Sequence, residues 1–114
     1  MSVDYNRKVF RSVSNSPSGE VSGDTEFRYF QDGIVVWSEY EGGDIVKGFL
    51  IGVVAEDGSL NARYQHVNSS GLLMTGICDT KPELLHDGRL RLHETWQWTS
   101  GDRSSGVSVL EEVL

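Results

Sequence analysis

Short runs of alternating apolar and polar residues fill the chain, and glycine-containing turn sequences separate them. Successive side chains of a β-strand point to opposite faces, so a run with period two predicts a strand with one buried face. Turn sequences such as Asp32-Gly33, Asp57-Gly58 and Asp87-Gly88 stand at the ends of these runs. None of the runs has the period of about 3.6 residues that is typical of an amphipathic helix. The pattern therefore predicts a chain built from β-strands.

About eight strands are predicted, and most of the connections are short enough for antiparallel hairpins. The strands cover residues 6–13, 24–31, 34–41, 45–55, 60–68, 72–79, 89–99 and 106–113. A meander of this size can close on itself, which removes the exposed strand edges. We therefore expect a single all-β domain over residues 1–114, folded as an antiparallel up-and-down β-barrel.

Two predicted connections are longer than the others. Residues 14–23 are rich in serine, glycine and proline, which is typical of a mobile loop. Residues 80–88 contain Pro82, Leu84 and Leu85. We expect this second connection to form a short helical turn that closes one end of the barrel.

The alternation also assigns an inner face to each strand. The inner sets are Thr25, Phe27 and Tyr29; Leu60, Ala62, Tyr64 and His66; and Leu90, Leu92, Glu94, Trp96 and Trp98. Strand 34–41 is ambiguous by itself, and strand 45–55 is apolar on both faces. A small barrel has little interior space, and glycines relieve crowding beside large rings. We therefore place Tyr40 inside, together with Val46, Gly48, Leu50, Gly52 and Val54.

This assignment leaves four apolar residues on the outer face of two adjacent strands: Val35, Trp37, Phe49 and Ile51. Side chains on one face of paired strands lie next to each other. A contiguous apolar patch of this kind predicts a partner surface. Two alternatives are an interface between copies of the chain in a homo-oligomer and a cover formed by a terminal segment.

Glu94 is the unusual residue of the inner face, because it lies between leucines and tryptophans. A buried carboxylate needs hydrogen-bond partners or becomes protonated. Tyr40, Tyr64, His66 or an arginine at a barrel mouth are the candidate partners. Three interpretations remain open: a structural hydrogen-bond network, a ligand pocket, or a bulge that turns Glu94 towards solvent.

The predicted ligand site is the aromatic interior, where a few polar groups would orient a small, partly polar molecule. Its residues are Tyr29, Tyr40, Tyr64, His66, Glu94, Trp96 and Trp98. An enzyme that uses the same cavity is the alternative, with Glu94 or His66 as the acid–base group. A third hypothesis is a non-catalytic interaction module that acts through the outer patch.

Composition limits the classes of partner that are expected. The net charge of −7 repels phosphate backbones and anionic membranes, so neither nucleic acid nor membrane is an expected partner. Cys78 is the single cysteine, which rules out an intrachain disulfide and agrees with a cytoplasmic location, as does an N-terminus without an apolar run. The sequence contains neither a metal-binding motif nor a phosphate-binding loop, so no metal or cofactor is expected.

Two segments carry a family resemblance: GFLIGVVAEDGSLNARYQHVN, residues 48–68, and DGRLRLHETWQWTSGD, residues 87–102. They resemble a family of small uncharacterised bacterial proteins that is often named N-acetylglutamate synthase. The residues do not support that activity, because acetyl-CoA-dependent acyltransferases hold pyrophosphate on a glycine-rich loop that opens a helix. The strand pattern is instead similar to calycin-like barrels, the group of lipocalins, fatty-acid-binding proteins and avidins.

Overall fold

The computed structural model describes residues 3–114, which form a closed antiparallel barrel of eight strands. The strands are β1 (Lys8–Asn15), β2 (Glu26–Asp32), β3 (Val35–Gly42), β4 (Ile45–Val54), β5 (Leu60–Asn68), β6 (Leu73–Leu84), β7 (Leu90–Trp98) and β8 (Ser105–Val113). Each strand pairs with the next, and β8 pairs with β1. The predicted all-β up-and-down barrel is confirmed.

The expected helical turn in residues 80–88 is wrong, because β6 continues to Leu84 and then turns tightly into β7. The Leu85 N–H donates to the Arg89 carbonyl at 2.8 Å and closes this turn. The pairing of β6 with β5 ends at Thr80, so only β7 lies beside the strand after that residue. Pro82 lacks an N–H and is tolerated where one side of the strand has no neighbour.

The N-terminal segment closes the barrel end that residues 80–88 were expected to close. Tyr5 is completely buried there, and its hydroxyl donates to the Gly58 carbonyl at 2.7 Å. The Tyr5 ring stacks on Tyr29 with 5.9 Å between the ring centroids. The opposite end, which we call the mouth, carries the β1–β2, β3–β4, β5–β6 and β7–β8 connections.

The inner face of β4 differs from the prediction at its first residues. Val46 was expected inside but is 60% exposed, and Ile45 is buried in its place. The pairing of β4 with β5 shifts register between Ile45 and Lys47. Such a β-bulge reverses the alternation locally, and the residue pattern alone does not reveal it. Beyond the bulge, Gly48, Leu50 and Gly52 point inward as predicted.

Three inward aromatic rings lie over a glycine on the neighbouring strand. The paired positions are Tyr40 with Gly48, Tyr64 with Gly76, and Trp96 with Gly106. A Cβ atom at any of these glycines would collide with the ring opposite to it. The missing side chains therefore make the space in which the rings lie.

We expect Gly76→Ala to lower the free energy of unfolding by about 1–3 kcal/mol, the usual cost of overfilling a packed core. The added methyl group would force the Tyr64 ring to move. Gly23→Ala is the matched control, because its Cβ would meet only the Ser12 carbonyl oxygen, at 3.6 Å. Urea denaturation of both variants measures the difference, and equal stabilities would contradict the proposed role of Gly76.

Candidate functional site

All seven residues of the predicted ligand site point into the barrel. Tyr29, Tyr40, His66, Glu94, Trp96 and Trp98 are buried, and Tyr64 is partly buried. Five of the seven line one cavity of about 40 Å³: Tyr40, Tyr64, His66, Glu94 and Trp96. One water molecule needs at least about 10–15 Å³, so this cavity has room for only a few waters.

His66 is the centre of a hydrogen-bonded chain that leads from the interior to the mouth. Its Nδ1 lies 2.9 Å from the Tyr40 hydroxyl, and its Nε2 lies 2.8 Å from Oε1 of Glu20. The carboxylate can only accept, so Nε2 carries a proton. In the neutral ring, Nδ1 then accepts the hydrogen bond from Tyr40. Burial raises the pKa of Tyr40 well above its usual range, so the hydroxyl keeps its proton for this bond.

Glu20 belongs to the site, although no sequence pattern selects it. It lies in the β1–β2 connection, residues 16–25, which we call the mouth loop. Its second carboxylate oxygen, Oε2, accepts from Asn68 Nδ2 at 2.9 Å. The carboxylate therefore receives one N–H from each of two buried β5 residues, His66 and Asn68. A contact across 46 residues of chain has no local signal in the sequence.

The two inner tryptophans also donate to the segment at the mouth. Trp96 Nε1 donates to Oδ1 of Asn15 at 3.1 Å, and Trp98 Nε1 donates to the Ser18 carbonyl at 3.1 Å. The Asn15 amide in turn donates to the Val21 carbonyl at 3.0 Å, which holds the mouth loop over the barrel. Val21 packs against the core. The segment predicted as a mobile loop thus lies folded into the mouth.

Glu94 lies deeper in the barrel and is 8% exposed, so the interpretation as a solvated residue at a bulge is wrong. The predicted partners are wrong as well: Ser108 Oγ donates to its Oε1 at 3.0 Å, and Thr80 Oγ1 donates to its Oε2 at 3.4 Å. Both hydroxyls belong to short side chains that lie opposite Glu94 on the neighbouring strands β8 and β6. Burial raises the pKa of Glu94 to about 7, and the two hydrogen bonds limit the rise.

The raised pKa predicts that Glu94 destabilises the fold as the pH increases. The carboxyl of an unfolded chain has its ordinary pKa of 4.5, whereas the folded carboxyl keeps its proton up to about pH 7. The stabilisation that comes from the higher pKa of the folded carboxyl is complete below pH 4.5. It is lost as the pH rises through 7. Between pH 5 and pH 8, we expect the wild type to lose about 2–3 kcal/mol of unfolding free energy relative to Glu94→Gln.

Urea denaturation of both proteins at both pH values measures this difference. Because the other titrating groups are the same in the two proteins, their contributions cancel. An identical pH dependence in the wild type and Glu94→Gln would contradict the buried, proton-holding carboxyl.

Tyr29 lies towards the closed end, away from the cavity lining. Its ring meets Tyr5 and, edge to face, Phe10. Burial raises the pKa of Tyr29 well above its usual range. Its hydroxyl has no hydrogen-bond partner within residues 3–114, which costs free energy for a buried polar group. Tyr29 therefore belongs to the packing of the closed end more than to the mouth.

The two acid–base candidates belong to separate hydrogen-bonded groups. His66 contacts Tyr40 and Glu20, whereas Glu94 contacts Ser108 and Thr80. Cys78 is buried, and burial raises the pKa of its thiol above the usual range, which makes it a poor nucleophile. Over the described part of the chain, histidine, cysteine and carboxylate side chains form no cluster suited to a metal ion.

The outer patch is exposed on the barrel surface. Trp37 lies opposite Ile51, and Val35 lies opposite Val53. The exposed fraction is 38% for Trp37 and 58% for Ile51. Phe30 stacks on Trp37 with 5.9 Å between the ring centroids and extends the apolar surface onto β2. The chain from residue 3 to residue 114 leaves Phe49 exposed too, so neither of the described ends of the chain covers the patch.

Comparison with known proteins places this geometry in a family. Helices that could cross a membrane were not found among the described residues. Neither a curated protein nor a solved structure gave a match. The family described as avidin-like protein matches residues 3–113, which is nearly the whole chain. The eight-stranded barrel agrees with this match, since avidins are calycin-type barrels. The chain belongs to the avidin-like protein family.

Proposed function

We propose that the barrel binds a small, partly polar molecule at its mouth, between Tyr40, Tyr64, His66 and Trp96. Membership of the avidin-like family supports small-molecule binding as the general function. The observation that carries the proposal is the set of buried N–H donors at the mouth, on His66, Asn68 and the two tryptophans. A few directed polar groups among aromatic side chains are the usual construction of a small-molecule site.

Binding is a better interpretation of this interior than catalysis. Glu94 and His66 do not share a hydrogen bond, so they offer no acid–base pair at one reacting atom. Acetyl transfer, which the name of the resembling family implies, has no support either. Residues 3–114 form strands and no helix, so they provide no helix N-terminus for the pyrophosphate of acetyl-CoA.

We expect native mass spectrometry of the freshly purified protein to reveal a non-protein adduct that is lost on denaturation. The same molecule, added back, should shift the indole N–H resonances of Trp96 and Trp98 in a ¹H–¹⁵N NMR spectrum. Trp37 on the outer face is an internal control and should not respond. If the adduct moved the Trp37 resonance alone, or if a library of small fragments moved none of the three, the proposal would be wrong.

We also propose that the outer patch joins two copies of the chain. Trp37, Phe49 and Ile51 border a groove that continues over Arg63 and Gln65, so the apolar residues lie beside polar ones, as at the edge of many interfaces. Family membership is consistent with oligomers. The aromatic residues at the centre of the patch are of the type that contributes most to binding energy in protein interfaces.

Trp37→Ser should therefore shift the protein towards the monomer, because it removes the largest apolar side chain of the patch. Val107→Ser is the control, since Val107 is also an exposed apolar residue, at 61%, but lies on β8. Size-exclusion chromatography with light scattering measures the mass of each protein. A monomeric wild type, or an unchanged mass for Trp37→Ser, would rule out this interface.

A further inference from the structure

The mouth loop fills the position that a ligand of the proposed site would take. Three N–H donors of the barrel wall bond to the loop at the mouth. Those of His66 and Asn68 bond to the Glu20 carboxylate, and that of Trp98 bonds to the Ser18 carbonyl. Glu20 lies at the centre, with both carboxylate oxygens bonded and its side chain 24% exposed. The wall thus binds a carboxylate already, and this carboxylate comes from the chain itself.

We propose that Glu20 stands in for the carboxylate of the ligand. A small molecule with one carboxylate on an apolar tail binds by displacing Glu20 from His66 and Asn68. This inference rests on the proposed function and names the chemical class of ligand that the same site accepts.

The donor pair selects a carboxylate over a neutral oxygen. His66 Nε2 and Asn68 Nδ2 bond to different oxygens of Glu20, at 2.8 and 2.9 Å. The Tyr40 hydroxyl at Nδ1 holds the imidazole in the tautomer that donates from Nε2. A carboxylate satisfies both donors through charge-assisted bonds, whereas an alcohol oxygen at one donor leaves the other unsatisfied in a buried position.

The surface below this donor pair favours an apolar tail with no second charge. Phe27, Tyr40 and Leu50 line the adjoining cavity, and departure of the Val21 side chain would enlarge it. Glu94 lies at the far side of the same cavity. A second carboxylate at that position would lose its hydration in a buried site that already holds one carboxyl group, so a monocarboxylate fits and a dicarboxylate does not.

The attachment of the mouth loop permits this displacement. The pairing of β1 with β2 ends at Arg11 and Glu26, so the chain between these two residues lies outside the β1–β2 ladder. Gly19 and Gly23 stand on both sides of Glu20 and give the loop conformational freedom. A ligand carboxylate can replace the two side-chain hydrogen bonds of Glu20 one for one. Movement of the loop backbone also breaks the bonds from Asn15 to Val21 and from Trp98 to Ser18.

The test uses hexanoate and hexan-1-ol as probes, because the two share an apolar tail and differ in the carboxylate. ¹H–¹⁵N NMR follows the indole resonances of Trp96 and Trp98 during titration, with Trp37 as the internal control. We expect Glu20→Ala to bind hexanoate about tenfold more tightly than the wild type, since the competing charge-assisted bonds are lost. Glu20→Gln, which keeps one acceptor oxygen, should lie between them.

Glu56→Ala is the matched control, because it removes the same charge from the exposed β4–β5 connection at the closed end. Its affinity for hexanoate should equal that of the wild type. If hexan-1-ol bound Glu20→Ala as tightly as hexanoate did, the carboxylate assignment would be wrong while binding in the mouth would stand. If neither probe moved the Trp96 and Trp98 resonances in Glu20→Ala, the ligand class and the proposed site would both be wrong.

Discussion

The interior of an eight-stranded barrel holds side chains or one small ligand, and this limit on space governs the rest of the structure. Tyr40, Tyr64 and Trp96 all point into that interior, and each lies over a glycine of the next strand. The glycines allow three large rings to lie inside the barrel and to line one cavity of about 40 Å³. The same packing sets the positions of the hydroxyl and N–H groups that these rings carry.

The polar atoms of the crowded rings need partners, and this requirement links the fold to its proposed function. An indole or imidazole N–H that is buried without an acceptor costs free energy. At the mouth, the acceptors come from Asn15, Ser18 and Glu20 and not from a neighbouring strand. Under the proposed exchange, a ligand would supply these acceptors in place of the loop, and the barrel would remain folded.

Two carboxylates illustrate how depth in the barrel changes chemistry. Glu20 accepts from two N–H groups at the mouth, where its side chain is partly exposed. Glu94 accepts from two hydroxyls in the interior, and burial raises its pKa to about 7. The mouth therefore offers N–H donors to a carboxylate, whereas the interior favours a protonated acid.

The sequence by itself determined the strand order, the closed barrel and most inner faces, because alternation and turn residues are local signals. It also selected His66, Glu94 and the tryptophans as inward residues. The bulge at Ile45, the continuation of β6 through Pro82 and the Thr80 and Ser108 partners of Glu94 were decided by pairing between strands. Only the tertiary structure revealed Glu20, because its contact with His66 joins residues 46 positions apart, and no local pattern encodes where a loop folds back.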